Sequence, residues 1–372
     1  MYTDIPQREE IERLAAASNP HSVTLVLRSS PVTSEVERLR IEFGNLSAEA
    51  VAALRERGET KADGEAAEAV EALLRELHED QEFWRFQSHS LVVFVTPEQI
   101  VSYRLPNELD SEWFAGNHFR IVPLLRTITF PHEASVLALS QNATRLISIG
   151  PDHPGTEIPV PDLPTDILDT FNVSDPGTQS HQRRLHGPEG QSERIRAYAR
   201  SVERAIAPIV RATRRPLILA ATQPLLGEFR GLSTMPKLLS EAIEGNPDDR
   251  SAAELDTAAR EILDRHYEET LAGWSAQFAN RQANGRAVTD LTDVARSAVA
   301  GAVQTLYVDL AARPEGTLDA EFGTIDAAPT VGESLIDRVA AAVLAHGGRV
   351  RVIRSGQVPG GGTQGAEVRF SV

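Results

Sequence analysis

Three short apolar runs constrain the fold of this chain most strongly. They are Ser22–Leu27 (SVTLVL), Ser90–Val95 (SLVVFV) and Pro216–Ala221 (PLILAA). Runs of this length, rich in β-branched residues and bounded by polar segments, are typical of strands that are buried on both faces. Such strands need helices or a second sheet on each side. The sequence therefore predicts layered α/β domains.

Length and composition limit the class of protein. A chain of 372 residues predicts two or three domains, at about 150 residues per domain. It contains no apolar run of the length that a bilayer requires, and the polar, acidic N-terminus predicts no signal peptide. The absence of cysteine excludes disulfides and cysteine nucleophiles. We therefore expect a cytoplasmic protein without a spanning helix.

The order of predicted elements divides the chain into three domains: an N-terminal α/β domain over 1–125, a middle domain over 126–250 and a C-terminal α/β/α domain over 251–372. In the first, strands are predicted at Ser22–Leu27, Ser90–Val95 and Ile100–Leu105, with a fourth extended segment at Phe119–Leu125. Its predicted helices are Ser34–Asn45, Ser47–Arg57 and Gly64–His78, with Ser47 as a cap.

The middle domain begins with a predicted hairpin, Ala134–Ser140 and Thr144–Gly150, and Glu157–Val160 is a candidate third strand. A polar segment, Asn172–Gly190, precedes an amphipathic helix. The apolar stripe of this helix is predicted at Ile195, Ala199, Val202, Ile206 and Ile209. Ser192 is its predicted cap, and Pro208 is expected to kink or interrupt it. A hairpin, a long helix and the returning strand Pro216–Ala221 predict an RNase-H-like middle domain.

The C-terminal domain is predicted from an alternation of helices and strands. The expected helices are Ser251–Ala279, Leu291–Val303 and Gly332–His346. The expected strands are Thr305–Leu310, Arg349–Ile353 and Glu367–Val372. The Gly-rich segment Ser355–Gly365 lacks the Gly-Lys-Ser/Thr ending of a phosphate loop, so we interpret it as a hairpin connection. No spacing typical of metal ligands is present, and no cofactor is expected.

The sign of the charge reverses locally between His181 and Pro216. This segment holds nine Arg and three Glu in a chain with a formal net charge of −16. Such a segment is a candidate phosphate-binding surface. The alternative interpretation is an ordinary solvated helix face. The candidate RNA-binding residues are Arg183, Arg184, Arg194, Arg196, Arg200 and Arg204.

The same segment resembles a known loop. Gly190-Gln191-Ser192, with His186-Gly187 just before it, is similar to the Gly-Gly-Gln loop of archaeal and eukaryotic class-1 peptide release factors and their ribosome-rescue relatives. The order of Val303–Val308, Gly347–Ile353 and a Gly-rich turn into Ala366–Phe370 resembles the last domain of that family, which is like kink-turn RNA-binding ribosomal proteins. The N-terminal part, including Phe83–Leu91, looks like that of bacterial members.

The resemblance to the bacterial branch implies a ribosome-associated translation factor acting in rescue, protection or hibernation. The implied partners are the ribosome, through its rRNA and peptidyl-tRNA, and a translational GTPase. In the family, the Gln of the loop helps to place water at the peptidyl-tRNA ester, so Gln191 and Gly190 are the catalytic candidates.

Two departures from the family bear on this. Glu189 stands where the first Gly of the motif is expected, and it disfavours hydrolysis through strain and repulsion. The codon-reading Asn-Ile-Lys-Ser and Tyr-x-Cys motifs are absent from the sequence. A hydrolysing release factor and a protein-interaction scaffold that lost ribosome binding remain the alternatives. His181 and His186 near Glu189 are either an acid–base pair or simply solvated.

Overall fold

The computed structural model describes residues 4, 6–30, 33–129, 133–150, 155–171, 188–213, 215–314, 316–326 and 334–370. The chain forms two compact units. One combines Met1–Pro131 with Glu269–Val372, and the other is His132–Glu268. The mixed α/β class predicted from the sequence is confirmed. The division into three domains at residues 125 and 250 stays a prediction, because the N- and C-terminal parts fall into one unit.

The N-terminal part of the first unit is built on an antiparallel sheet in the order β3-β2-β1-β4. Its strands are β1 (Ser22–Arg28), β2 (Ser90–Thr96), β3 (Gln99–Leu105) and β4 (Glu112–Gly116). Its helices are α1 (Arg8–Ala16), α2 (Val36–Arg57), α3 (Lys61–Glu79), the short α4 (Gln81–Trp84) and α5 (Val122–Thr129). Val23, Leu25 and Leu27 face a core that includes residues of α2 and α3, whereas Val26 faces a second core. Burial on both faces accounts for the continuous apolar sequence of β1.

The C-terminal part of the first unit contains a second sheet in the order β10-β15-β11-β14. Its strands are β10 (Ala287–Val288), β11 (Val303–Asp309), β14 (Arg349–Ile353) and β15 (Gln364–Val368), and β12 (Thr317–Leu318) pairs with β13 (Ile325–Asp326). Its helices are α9 (Leu291–Val299) and α10 (Leu335–Ala345). The Gly-rich segment is not a hairpin connection, because β11 lies between β14 and β15 and pairs with both.

A single hydrophobic core joins these two parts. It contains Val92 and Phe94 of β2 together with Leu306 and Val308 of β11. At its edge, the buried Asp337 of α10 accepts hydrogen bonds from the backbone N–H groups of Ile121 (2.7 Å) and Val122 (2.8 Å). These are orphan donors at the start of α5, so Asp337 caps a helix that is distant in sequence.

The second unit has one sheet in the order β7-β6-β5-β8-β9. Its strands are β5 (Ala134–Leu139), β6 (Thr144–Ile149), β7 (Thr156–Ile158), β8 (Leu217–Ala221) and β9 (Leu238–Glu244). β5, β6 and β7 are antiparallel neighbours, whereas β8 pairs parallel with β5 and with β9. The helices are α6 (Pro188–Thr213), α7 (Leu225–Leu232) and α8 (Ala252–Ala283), which continues into the first unit after Glu268. The predicted hairpin, long helix and returning strand are all present in this unit.

Several local predictions were wrong. Phe119–Leu125 is not a strand, since α5 begins at Val122 and the fourth strand is β4. Ser47 does not cap a helix, because α2 runs unbroken from Val36 to Arg57. The helix predicted to reach Val303 ends at Val299, where β11 follows. Within the described residues, no helix has the length and apolar content needed to cross a bilayer.

Candidate nucleic-acid interface

The helix α6 carries the described part of the segment with reversed charge. It begins at Pro188 and has 26 residues. Proline at the first helical position and an acidic residue in the first turn are residue types that favour a helix start there. Gly190, Gln191 and Ser192 therefore lie in the opening turns of the helix. Ser192 is not its cap, and Pro208 does not interrupt it, because the helix continues to Thr213.

One face of α6 packs into the core of the second unit. Ile195, Tyr198, Ala199, Val202, Ile206 and Val210 are all buried there. The predicted stripe is confirmed at four positions, but Ile209 is only partly buried, and Tyr198 and Val210 complete the face. This face fixes the rotation of the helix and so determines which side chains point to solvent.

Tyr198 fixes the helix against the β5–β6 hairpin. Its hydroxyl donates to the carbonyl oxygen of Ser140 at 2.9 Å and also contacts the hydroxyl of Thr144. Burial raises the pKa of the Tyr198 phenol to about 12, so the hydroxyl remains a donor throughout the physiological pH range. A hydroxyl held by two partners in the core resists rotation of α6 about its axis.

Arg196, Arg200 and Arg204 form one line along the exposed side of α6, which we call the arginine ridge. All three are exposed, and their spacing of four residues places them on one face over about 12 Å. Like charges at this spacing destabilise a helix by about 0.2–0.5 kcal/mol per pair. A polyanion bound along the ridge would offset that repulsion.

The three arginines of the ridge are not equivalent. Arg196 donates to the carboxylate of Glu228 on α7 through Nε (3.0 Å) and Nη2 (3.4 Å). The hydrogen bond to Glu228 raises the pKa of the Arg196 guanidinium. In the described part of the chain, neither Arg200 nor Arg204 forms an ion pair or a side-chain hydrogen bond. The two are therefore the arginines of the ridge that are available to a phosphate.

The structure places the remaining candidates elsewhere or does not describe them. Arg194 is only partly exposed, and it is rotated from Arg196 by two residues, or about 200° around the helix. It lies off the arginine ridge. Arg183, Arg184, His181 and His186 fall outside the described residues. The position of Glu189 is helical, Gly190 is buried, and Gln191 is exposed.

Sequence reasoning missed Glu228, which limits the basic surface by occupying Arg196. The only signal for it was a single acidic residue soon after the predicted strand Pro216–Ala221, and nothing in the sequence connects that residue with Arg196. It also missed the role of Tyr198, although a tyrosine at helical spacing within an apolar stripe is a signal for a buried hydroxyl.

Comparison with known proteins finds a family model that matches this part of the chain. Residues 131–269 match the family model described as bacterial archaeo-eukaryotic release factor family 11. The matched range coincides closely with the second unit, His132–Glu268. The second unit is therefore similar to the bacterial branch of the archaeo-eukaryotic release factors, in agreement with the family resemblance found in the sequence. No curated protein matches the chain.

Several solved structures of release-factor-like proteins also match. An archaeal translation termination factor, aRF1, is 13% identical, with 98% of this chain and 99% of that chain covered and a TM-score of 0.25. Archaeal Pelota, from a model of ribosome-bound Pelota and ABCE1, is 12% identical, with 98% and 95% covered and a TM-score of 0.40. Dom34 of S. cerevisiae is 10% identical, with 76% and 79% covered and a TM-score of 0.38. At these scores the similarities support no further conclusion.

Proposed function

We propose that this protein is a release-factor-like translation factor that binds the ribosome through the arginine ridge of α6. The proposal is carried by the exposed Arg200 and Arg204, on a helix that opens with Gly190-Gln191-Ser192. The match of residues 131–269 to a release-factor family supports it. A protein acting on ribosomes would work in the cytoplasm.

A local basic surface accounts for binding to RNA by an acidic chain. The formal net charge is −16, so the molecule as a whole repels a polyanion and only a concentrated patch of positive charge can attract one. Binding through such a patch releases counterions and weakens steeply with salt. The orientation imposed by the ridge would bring the start of α6, with Gln191, toward the same partner.

We further propose that the protein occupies its site on the ribosome rather than hydrolysing peptidyl-tRNA. Gly190 and Gln191 lie in regular helix, where the backbone freedom that glycine provides in a loop is not used. Glu189 also carries a negative charge two residues before the glutamine in the sequence. This arrangement fits rescue, protection or hibernation by occupancy, with a translational GTPase as an additional partner.

The test is co-sedimentation of the purified protein with bacterial ribosomes across a salt series, with empty and with peptidyl-tRNA-loaded ribosomes. The double variant Arg200→Glu/Arg204→Glu is compared with Lys61→Glu/Arg75→Glu. The control makes the same change of charge on the exposed face of α3, where Lys61 is 92% exposed and Arg75 is 61% exposed.

We expect the wild type and the α3 variant to pellet with ribosomes at low salt and the ridge variant to remain in the supernatant. Equal losses in both variants would mean that total charge, not the ridge, determines retention. No retention of the wild type at low salt would favour the scaffold alternative.

A further inference from the structure

A cavity in the first unit lies far in sequence from the arginine ridge. Its volume is about 310 Å³, within the range of small-molecule sites. Its walls come from α1, α5, the last part of α8, the end of α10 and β14. Because these elements come from both ends of the chain, the cavity exists only through the joining of the N- and C-terminal parts in one unit.

The walls of the cavity are mainly apolar. Ile11, Leu125, Ile128, Leu344 and Val350 contribute aliphatic surface, and Trp274 contributes an aromatic one. Ile128 is 44% exposed, which is unusual for a large aliphatic side chain on a helix that otherwise faces a core. An exposed isoleucine that lines a concave apolar surface is well placed to contact the hydrocarbon part of a ligand.

Positive charge is concentrated at the same cavity. Arg8, Arg349 and Arg351 line it, and none of the described residues in its walls is acidic. Arg8 is already engaged by Glu12 at 2.7 Å. Arg349 and Arg351 form no ion pair with any described residue, so they supply the uncompensated charge. Three guanidinium groups around an apolar cavity are a recognition pattern for the acidic head of a molecule with an apolar body.

The Arg351 side chain is held in place by two aromatic residues, Trp274 and Tyr307. Its guanidinium carbon lies 3.8 Å from the centroid of the Trp274 ring, and its Nη1 donates to the hydroxyl of Tyr307 at 3.3 Å. The Tyr307 hydroxyl in turn donates to Glu367 at 3.1 Å. Partial burial lowers the pKa of Arg351, which reflects the loss of water around the guanidinium. A fixed, poorly hydrated cation costs little further ordering when an anion binds.

The charge of Glu367 does not cancel that of Arg351. Glu367 is fully buried, accepts from Nε2 of Gln277 at 2.8 and 3.0 Å, and lies 3.4 Å from Nε of Arg281. Arg281 therefore balances this carboxylate. The cluster of Arg281, Arg351 and Glu367 keeps one excess positive charge beside the cavity.

We propose that this cavity binds a small amphiphilic anion, with its hydrocarbon body against Ile128 and Trp274 and its carboxylate on Arg349 and Arg351. The site is independent of the ribosome-binding surface, so it stands or falls separately from the function proposed above. It would give the protein a way to respond to a cellular metabolite of this chemical class.

The test uses the intrinsic fluorescence of Trp274, which lines the cavity, to report ligand binding. In a Trp113→Phe background the remaining tryptophans are Trp274 and the fully buried Trp84. The full-length protein is titrated with decanoate, with decanol and with decylamine, all below the concentrations at which they form micelles, and then with AMP. We expect decanoate to change the fluorescence in a saturable way. Decanol should bind at least about tenfold more weakly, because it lacks the charge-assisted contact. Decylamine should not bind.

A pair of variants at one position separates charge from packing. Ile128→Glu and Ile128→Lys remove the same side chain and introduce residues of similar helix propensity. We expect Ile128→Glu to weaken decanoate binding by about tenfold or more relative to Ile128→Lys, with circular dichroism confirming that both variants fold. Equal affinities for the two variants, equal binding of decylamine, tighter binding of AMP than of decanoate, or no change in Trp274 fluorescence would each overturn the proposal.

Discussion

Arg196 donates two hydrogen bonds to the carboxylate of Glu228, at 3.0 and 3.4 Å, across the gap between α6 and α7. Arg200 and Arg204 continue the same line of the helix without such a partner in the described part of the chain. Glu228 therefore engages one arginine of the ridge, Arg196, and leaves Arg200 and Arg204 available to a phosphate. Its effect on ribosome binding can be measured directly.

Replacing Glu228 by Gln is expected to strengthen ribosome binding. The change removes a carboxylate that would repel phosphate and releases Arg196 from its ion pair, so one more guanidinium is available. We expect a gain of about three- to tenfold in affinity at constant salt, as one added charge-assisted contact provides, measured by co-sedimentation.

The matched control for this variant is Glu241→Gln. Glu241 forms a similar pair with Arg265 at 2.7 Å in the same unit, away from the ridge. Glu241→Gln changes the net charge by the same amount as Glu228→Gln. If both variants bind equally more tightly, the effect is one of total charge and the assignment of Glu228 is wrong.

Replacing Asp337 by Ala is expected to destabilise the first unit. It would leave the buried N–H groups of Ile121 and Val122 without their acceptor. It would also remove one of the two carboxylates beside the buried Arg120 guanidinium, at 3.7 Å, and leave Glu112 at 3.0 Å. Loss of a buried charged acceptor costs about 2–4 kcal/mol. Urea unfolding followed by tryptophan fluorescence measures the change, because Trp84, Trp113 and Trp274 all belong to the first unit.

Asp293→Ala is the control for this measurement. Asp293 is half exposed and pairs with Arg296 one turn along α9 at 3.3 Å, a contact expected to contribute no more than about 0.5 kcal/mol. If Asp337→Ala lowers the free energy of unfolding as little as Asp293→Ala does, the cap of α5 does not stabilise the packing of the N-terminal part of the first unit against its C-terminal part.

The Asp337 cap also explains where prediction from sequence failed. The buried strands β1, β2 and β8 were predicted closely, because continuous β-branched and aliphatic runs carry the signal locally. Val122–Thr129 (VPLLRTIT) is equally apolar and β-branched, yet it is helical, with its start fixed by a residue of α10. β9 (LLSEAIE) was missed because Ser240 and Glu241 interrupt its apolar pattern, and its pairing with β8 is a tertiary contact.

The candidate site was predictable to a similar extent. The position of α6 and most of its buried stripe followed from helical spacing. The pairing of Arg196 with Glu228 did not, because an ion pair between two helices depends on how they pack. Neither did the cavity beside Trp274, since its walls come from segments at opposite ends of the chain.

Tyr198→Phe is expected to make the second unit less sensitive to alkaline pH. The folded pKa of about 12 lies above the value near 10 of an unfolded tyrosine. The unfolded state therefore loses its proton first. The stabilising contribution is complete below pH 10 and falls as the pH rises from 10 to 12, by roughly 2–3 kcal/mol in total.

Urea unfolding monitored by far-ultraviolet circular dichroism at pH 8, 10 and 11.5 tests this prediction. At pH 8 the Phe variant should be about 1 kcal/mol less stable than the wild type, because two hydrogen bonds are lost. The difference should shrink as the pH rises. A difference that is constant across the series would contradict the role given to the buried hydroxyl.

Glu189→Gly tests whether the opening turns of α6 prevent peptidyl-tRNA hydrolysis. The change removes a charge that repels phosphate and lowers helix propensity by about 0.5–1 kcal/mol. In a ribosomal peptide-release assay we expect no release above background by the wild type, measurable release by Glu189→Gly, and none above background by Glu189→Gly/Gln191→Ala. Efficient release by the wild type that Gln191→Ala abolishes would show that the protein is a hydrolase.

The central claim is that Arg200 and Arg204 contact ribosomal phosphates, and the salt dependence of ribosome affinity tests it most directly. Each phosphate contact contributes about 0.7–0.9 to the slope of log affinity against log salt concentration. For Arg200→Gln/Arg204→Gln we expect weaker binding and a slope shallower than that of the wild type by about 1.4–1.8. Weaker binding with an unchanged slope, or no change in either quantity, would contradict it.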